Sequence, residues 1–319
     1  MIRSTSRKAL AVTASLALAF TMTACNREST DTGAASGEGG AEGSITLALS
    51  TQTNPFFVQL RDGAQDKADE LGVTLNVQDA SDDASTQVNQ VNNASTTGAD
   101  VVIINPTDSD AIIPAVETLN QADIPVVAVD RSANGGEIAS FIASDNKAGG
   151  AQAADALAEA IGGEGKVLVL QGIAGSSASR DRGAGFEEAL AGYEGIEIVA
   201  KQTANFDRAQ GLNVATNLLQ AHPDVKAIFA ENDEMALGAI EALGDRAGTE
   251  VIVVGFDGTS DGLSAVSDGR MLATIAQQPE ELGARAVEEA AKLLRGEDAE
   301  AEVPVEVVTV TEENVADYQ

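Results

Sequence analysis

Two apolar runs in this chain end in the same way. Val126-Val127-Ala128-Val129 stops abruptly at Asp130-Arg131, and Val251-Ile252-Val253-Val254 stops, after Gly255-Phe256, at Asp257. An uninterrupted apolar run of this kind marks a parallel strand buried on both faces, because helices cover both sides of such a sheet. The carboxyl ends of these strands open on the crevice where open α/β sheets bind ligands. A carboxylate and a guanidinium placed there can grip a polar ligand. Two such ends imply two related lobes that close on one small polar molecule between Asp130 and Asp257.

The order of elements points to a duplication. From Ile45 the pattern alternates strand and helix, which predicts parallel sheets. Ile45–Leu49 reads as a strand. Asn54-Pro55 then starts a helix, since Asn caps and Pro suits the first turn. Phe57, Leu60, Ala64, Ala68 and Leu71 keep helical spacing until Gly72. Strands are expected at Val73–Val77, Val101–Ile104 and Ile124–Val129, with helices at Thr86–Thr97 and Ala111–Gln121. The second half repeats the plan. Strands are expected at Lys166–Leu170, Ile196–Ala200, Ala227–Ala230 and Val251–Val254, and helices near Gly183–Ala191, over Asp207–Gln220 and from Asn232-Asp233 to Leu243. Further helices at Asn146–Ile161 and Glu280–Arg295 and a strand-like tail, Val303–Val310, put crossings between the lobes near Ala143–Asn146, Gln277–Pro279 and Val303–Val307. Three crossings make a hinge rather than a free linker. The expected lobes are 44–144 plus 278–305 and 145–277 plus 306–319.

Charge and the N-terminus narrow the function. The net charge is −31 over 319 residues. Arg3, Arg7 and Lys8 precede an apolar stretch, Ala9–Phe20, with the form of a signal peptide over residues 1–24. Its removal leaves 16 basic against 50 acidic residues. So acidic a surface repels phosphate backbones and anionic headgroups, which excludes nucleic acid as a partner. Met22-Thr23-Ala24-Cys25 resembles a bacterial lipobox, after which the cysteine becomes a lipidated N-terminus, although Met22 stands where Leu is commoner. Cys25 is the one cysteine, so no internal disulfide exists. An ordinary signal peptide beside an unrelated cysteine is the plainer alternative. The stretch that follows, rich in Gly, Ser, Thr, Ala and Glu, favours an anchor on a flexible tether over residues 25–43. The expected location is the outer face of the cell membrane, with the protein exported and held by lipid.

The polar residues at the strand ends are chemically coherent. Asn54, Phe56 and Phe57 follow the first strand, and Asp130 and Arg131 the fourth. Arg182 is placed in the Gly/Ser-rich loop after Leu170. Phe206, Asn232 and Asp257 follow three strands of the second half, and Gln277 sits at a crossing. A sugar offers hydroxyls that both donate and accept, and two faces of C–H bonds. Asp accepts from two hydroxyls, Arg donates as a fork, Asn and Gln do both, and Phe covers the apolar faces. A hydrogen bond to a charged group nets about 1.5–3 kcal/mol, while micromolar affinity needs about 8 kcal/mol. Several such bonds exceed that, and the surplus can close the lobes. Taken singly the residues have plainer roles: Asn54 and Asn232 as helix caps, Asp130 and Arg131 as an ion pair, Arg182 as a solvated charge, Phe57 as core and Phe206 as a hydrophobic staple. Catalysis has little support. His222, the one histidine, precedes Pro223 after a helix, and no metal-ligand spacing, cofactor motif or phosphate loop is present. Asp130 and Asp257 could pair as in a glycosidase, but Arg131 is expected to keep Asp130 ionised, which suits holding hydroxyls rather than donating protons.

A set of motifs in fixed order carries a resemblance. Asn54-Pro55-Phe56-Phe57, Ile104-Asn105-Pro106-Thr107-Asp108, Asp130-Arg131, Ser144-Asp145-Asn146, Gln171-Gly172-Ile173-Ala174-Gly175, Phe206-Asp207-Arg208, Asn232-Asp233-Glu234-Met235 and Gly255-Phe256-Asp257-Gly258 together resemble the D-ribose-binding proteins of bacterial ABC sugar importers. The likeness spans almost all of Ser44–Val310. It implies the type I periplasmic-binding-protein fold: α/β, two Rossmann-like lobes with parallel sheets joined by a three-strand hinge. It also implies a monosaccharide, D-ribose first, held by Asn54, Asp130, Arg131, Arg182, Asn232, Asp257 and Gln277, with Phe56, Phe57 and Phe206 around the ring. No enzyme activity, cofactor or metal is implied. The expected partners are the sugar and an ABC permease, with the protein a monomer. Allose or another pentose is the nearest alternative ligand. A LacI-type effector domain shares the fold, but would carry a basic helix-turn-helix where this chain has a signal peptide.

Overall fold

A computed structural model describes residues 43–319; the signal peptide, Cys25 and the tether up to residue 42 lie outside the described residues. Within them the chain forms two six-stranded sheets. The first half contributes β1 (Ser44–Leu49), α1 (Pro55–Leu71), β2 (Thr74–Asp79), α2 (Ala84–Thr97), β3 (Val101–Ile104), α3 (Ile113–Gln121), β4 (Val126–Val129) and β5 (Ser140–Ser144). The second half contributes α4 (Asn146–Ala160), β6 (Glu164–Gln171), α5 (Ser177–Leu190), β7 (Gly195–Thr203), α6 (Arg208–Ala221), β8 (Ala227–Ala230), α7 (Asp233–Leu243), β9 (Ile252–Asp257), α8 (Ser260–Ser267) and β10 (Ala273–Ala276). The chain closes with α9 (Pro279–Leu294), β11 (Glu302–Val305) and β12 (Val308–Thr311).

The sheet orders are β11-β5-β4-β3-β1-β2 and β12-β10-β9-β8-β6-β7, so each strand of one sheet has a counterpart at the same place in the other. All pairings are parallel except β10 with β12, which is antiparallel. In both sheets the sequence order reverses beside the first strand, the position where such sheets bind ligands. The chain passes between sheets three times: after β5, after β10, and between β11 and β12.

Burial explains the layers. Ile45, Leu47 and Leu49 of β1 face α1 and α9, while Ala48 faces the cluster made with α2 and α3. In the second sheet Val167 and Val169 pack with Phe186 of α5 and Leu157 of α4, and Leu168 and Leu170 pack with α6 and α7. Each fully buried Leu, Ile or Phe contributes roughly 1.5–3 kcal/mol. Helices on both faces are why the central strands read as unbroken apolar runs.

The expected elements are found with shifted ends, and the larger differences have local causes. The helix expected near Gly183 begins at Ser177, so Arg182 stands on α5 rather than in a loop. Ser and Gly in its first turns disguise it, because these residues disfavour helix in isolation. The tail read as one strand is two, β11 in the first sheet and β12 in the second, broken at Glu306-Val307. Three short elements, β5, α8 and β10, lie outside the expected strands and helices. No helix among the described residues is long and apolar enough to cross a membrane.

Candidate ligand-binding site

The carboxyl ends of both sheets face one narrow cleft. From the first sheet come Asn54, Phe56, Phe57, Asp130 and Arg131; from the second come Arg182, Phe206, Asn232, Asp257 and Gln277, with Ala178. All ten expected residues line it. Nine are buried and Phe206 is half-buried.

The sequence places each side chain by local means. Asn54 caps α1, its Oδ1 accepting from the Phe56 N–H at 2.9 Å, which leaves its Nδ2 for the cavity. Pro55 follows in the first helical position, and Phe56 and Phe57 meet edge to face at 5.1 Å. Asn232 caps α7 in the same way, accepting from Met235 N–H at 3.0 Å while its Nδ2 donates to Phe206 O at 3.2 Å. The cap and cavity roles coexist, since each uses a different end of the amide. Asp130 and Asp257, at equivalent places after β4 and in the last position of β9, both have positive φ, 63° and 120°. Non-glycine residues rarely adopt that conformation, and it persists where surrounding bonds hold it. Here Asp130 N–H donates to Ile142 O at 2.7 Å and Gln277 N–H to Asp257 O at 2.9 Å.

Arg131 bridges the two halves, and Arg182 ties together the strand ends of the second. Arg131 lies against Asp130 at 3.4 Å, with its guanidinium 5.0 Å from the Phe57 ring centre and 5.3 Å from that of Phe206. It therefore stacks between rings of opposite lobes, an attraction that desolvation strengthens. Arg182 donates to Asn146 Oδ1 at 2.8 Å, Glu231 O at 2.6 Å and Asp257 Oδ1 at 3.3 Å, and lies 3.8 Å from the Phe256 ring centre. The reach to Asn146 depends on Gly150, since a Cβ there would overlap the Arg182 carbonyl and separate α4 from α5. Gln277 Nε2 donates to Asp257 Oδ1 at 2.7 Å. Asp130 Oδ1 and Gln277 Oε1 are buried without a hydrogen-bond partner in the protein. Buried polar atoms of this kind call for a ligand donor.

The electrostatics correct one expectation. Arg131 does not depress the Asp130 carboxyl below its usual range: burial raises its pKa and outweighs the lowering by Arg131, Arg182 and Asn105. Burial also raises Asp257, to about 8, against the pull of Arg182. Among the described residues no group of three His, Cys, Asp or Glu is placed to hold a metal. His222 caps the C-terminus of α6, beside the start of β8 and at the opposite end of the sheet from the cavity.

Four further residues shape the site and were not singled out. Asn105, directly after β3, accepts from Ser50 Oγ at 2.7 Å and donates to Asp130 Oδ2 at 3.1 Å. Asn146 orients Arg182. Glu231 and Asp233 flank Asn232 and are wholly buried. The strand-end rule that selected Asn232 applies equally to Asn105 and Glu231. Ala178 carries no chemical signal.

Comparison with known proteins agrees with this architecture. Residues 45–298 match the family model described as periplasmic binding protein domain. The ribose import binding protein RbsB of Escherichia coli (strain K12) is 50% identical over 273 residues, covering 86% of this chain and 92% of that protein. Its namesake in Bacillus subtilis (strain 168) is 44% identical, covering 91% and 94%. The crystal structure of an ABC transporter periplasmic solute binding protein from Actinobacillus succinogenes 130z with bound D-allose superposes with a TM-score of 0.81 at 36% identity, covering 86% of this chain and all of that one. The chain belongs to the periplasmic binding protein family.

Proposed function

We propose that this protein is the sugar-binding component of an ABC importer, with D-ribose as its ligand, held between the two lobes and handed to the membrane permease. It is a binding protein rather than an enzyme. One observation carries the reading: two carboxylates, two guanidiniums and three phenyl rings from both sheets converge on one narrow cleft. Carboxylates and guanidiniums match a ring of hydroxyls, and the rings match its C–H faces. The 50% identity to a ribose import binding protein selects the pentose. Asn54, Phe56, Phe57, Asp130, Arg131, Arg182, Phe206, Asn232, Asp257 and Gln277 are the proposed contacts. Residues 44–144 plus 278–305 and 145–277 plus 306–319 are the proposed moving lobes. Isothermal calorimetry with D-ribose, D-allose, D-xylose and L-arabinose tests the ligand. Micromolar or tighter binding of D-ribose, with the others weaker, is expected, and heat from none of them would refute the reading.

We also propose that the protein works as a monomer tethered through lipidated Cys25. The lipobox-like Met22-Thr23-Ala24-Cys25 and the polar stretch after it support this. In a bacterial host, radiolabelled fatty acid should enter the protein, and Cys25→Ala should abolish the labelling. A label that survives the substitution contradicts the anchor.

A further inference from the structure

Glu231 and Asn105 are the same position in the two lobes. Each follows its strand directly, and their N–H groups donate to equivalent carbonyls, Leu170 O at 3.0 Å and Ala48 O at 2.9 Å. Each side chain then catches the loop leaving the neighbouring strand. Asn105 Oδ1 accepts from Ser50 N–H at 3.2 Å, and Glu231 Oε2 accepts from Gly172 N–H at 2.7 Å and from the Ser179 hydroxyl. The first lobe uses a neutral amide for this task and the second uses a carboxyl.

Resting on the sugar-binding reading, we propose that Glu231 is a positioning residue that fixes the 172–179 loop and the start of α5, and through them Arg182, against the ligand. Three observations support it. Glu231 is fully buried and bridges that loop to the first turn of α5. Its own carbonyl accepts from Arg182 Nη1 at 2.6 Å. Its second oxygen, Oε1, has no hydrogen-bond partner in the protein and lies against Gly183, the residue after Arg182.

That geometry makes the device sensitive to pH. A proton on Oε1 costs neither bond made by Oε2 and removes the buried charge. An ionised carboxylate leaves a charged oxygen without a donor, and the adjacent guanidinium is the group able to answer it. Arg182 is then drawn from Asp257 and from the cavity. The surrounding charges leave the balance near neutrality. Arg182 and Glu187 lie on α5, Asp233 on α7 and Asp257 at the end of β9. Lys201 of β7 is paired with Glu187, and Arg180 is turned toward Asn134. Burial, only partly opposed by Gly172, Ser179 and Arg182, pushes Glu231 up to about 7. Sugar affinity should therefore weaken as pH rises through neutrality.

The test compares the full protein with Glu231→Gln and Glu231→Ala from pH 5.5 to 8.5. Calorimetry with D-ribose is run beside hydrogen exchange of residues 172–182, corrected for intrinsic rates. In the unmodified protein Kd should rise about tenfold across that range, the size of one weakened charged hydrogen bond. Protection of 172–182 should fall over the same range. Asp257 adds a slope of its own, so the difference between variants decides. Glu231→Gln, whose amide stands in for the acid, should bind at the low-pH level with a shallower slope and constant protection. Glu231→Ala should bind about tenfold more weakly even at pH 6. A Glu231→Gln protein that keeps the full slope, or a Glu231→Ala protein as tight and protected as the original, overturns the proposal. Absence of D-ribose binding by the unmodified protein refutes the sugar reading instead, and the exchange data still decide the positioning role.

Discussion

At the scale of the residue, Asp257 holds a guanidinium and an amide on one carboxylate oxygen. Its Oδ1 accepts from Gln277 at 2.7 Å and from Arg182 at 3.3 Å, and its backbone holds a φ of 120° that few side chains tolerate. Removing a buried partner costs more than the bond itself, because the group left behind stays desolvated. In Asp257→Ala the stranded group is the Arg182 guanidinium, buried with its pair. D-ribose affinity should fall at least a hundredfold, about 3 kcal/mol. Asp257→Asn keeps an acceptor for Gln277 and should lose less, roughly tenfold. Calorimetry on both variants checks this, and equal losses would mean that the charge on Asp257, rather than its hydrogen bonds, dominates. Thermal melts separate the effect from unfolding, since Asp257 is at a sheet end and not among the apolar side chains of either core.

At the scale of the element, the loop between β6 and α5, with the first turn of α5, carries contacts between the lobes beyond the cavity. Gly175 O accepts from Ser109 N–H at 3.0 Å, Ser177 Oγ accepts from Ser132 N–H at 2.9 Å, and Arg180 donates to Asn134 at 3.1 Å. Gly175 has no positive φ, yet a Cβ on it would overlap the carboxylate of Asp108 in the opposite lobe. Gly175→Val should leave each lobe folded and prevent full closure. The expected readout is a D-ribose Kd weakened tenfold or more with an unchanged melting temperature, and small-angle scattering that no longer compacts with saturating sugar. Compaction equal to that of the original protein would remove this loop from the closing contact. The same loop marks the limit of what the sequence discloses. Strands with both faces covered are legible as apolar runs, and α1 is legible from Asn54, Pro55 and Gly72, because those signals are local. The start of α5 at Ser177 is not, because tertiary contacts across Gly150 and through Ser179 stabilise a turn whose residues favour loops. Polar residues at strand ends point to the cavity. Glu231 and Asn105 act sideways on neighbouring loops, and a pattern along one strand carries no record of its neighbour.

At the scale of the whole molecule, the two halves share a topology but not a charge. Asn105 of the first lobe corresponds to Glu231 of the second, and two residues on, Thr107 corresponds to Asp233. The second lobe thus places Glu231 and Asp257 beside Arg182, with Asp233 next to Asp257, whereas Asp130 and Arg131 balance in the first. Burial raises all three second-lobe carboxyls, to about 7, about 6 and about 8. In the unfolded chain these groups titrate near 4, so between pH 4 and 8 the folded protein holds protons that the unfolded chain has released. Stability is then fully present below that window and is lost as pH rises through it. The melting temperature should fall steadily from pH 5 to pH 8. Repulsion within so acidic a surface adds a change of the same sign at the acid end of that window, where exposed carboxyls finish ionising, but salt distinguishes the two. At 0.5 M salt the surface term is largely screened, whereas carboxyls closed off from water are not. A fall that persists in salt, and that shrinks in Glu231→Gln, places the cause at the floor of the cleft. A melting temperature that is flat from pH 5 to 8, or one that salt makes flat, would place it on the surface and leave the buried carboxyls without thermodynamic consequence.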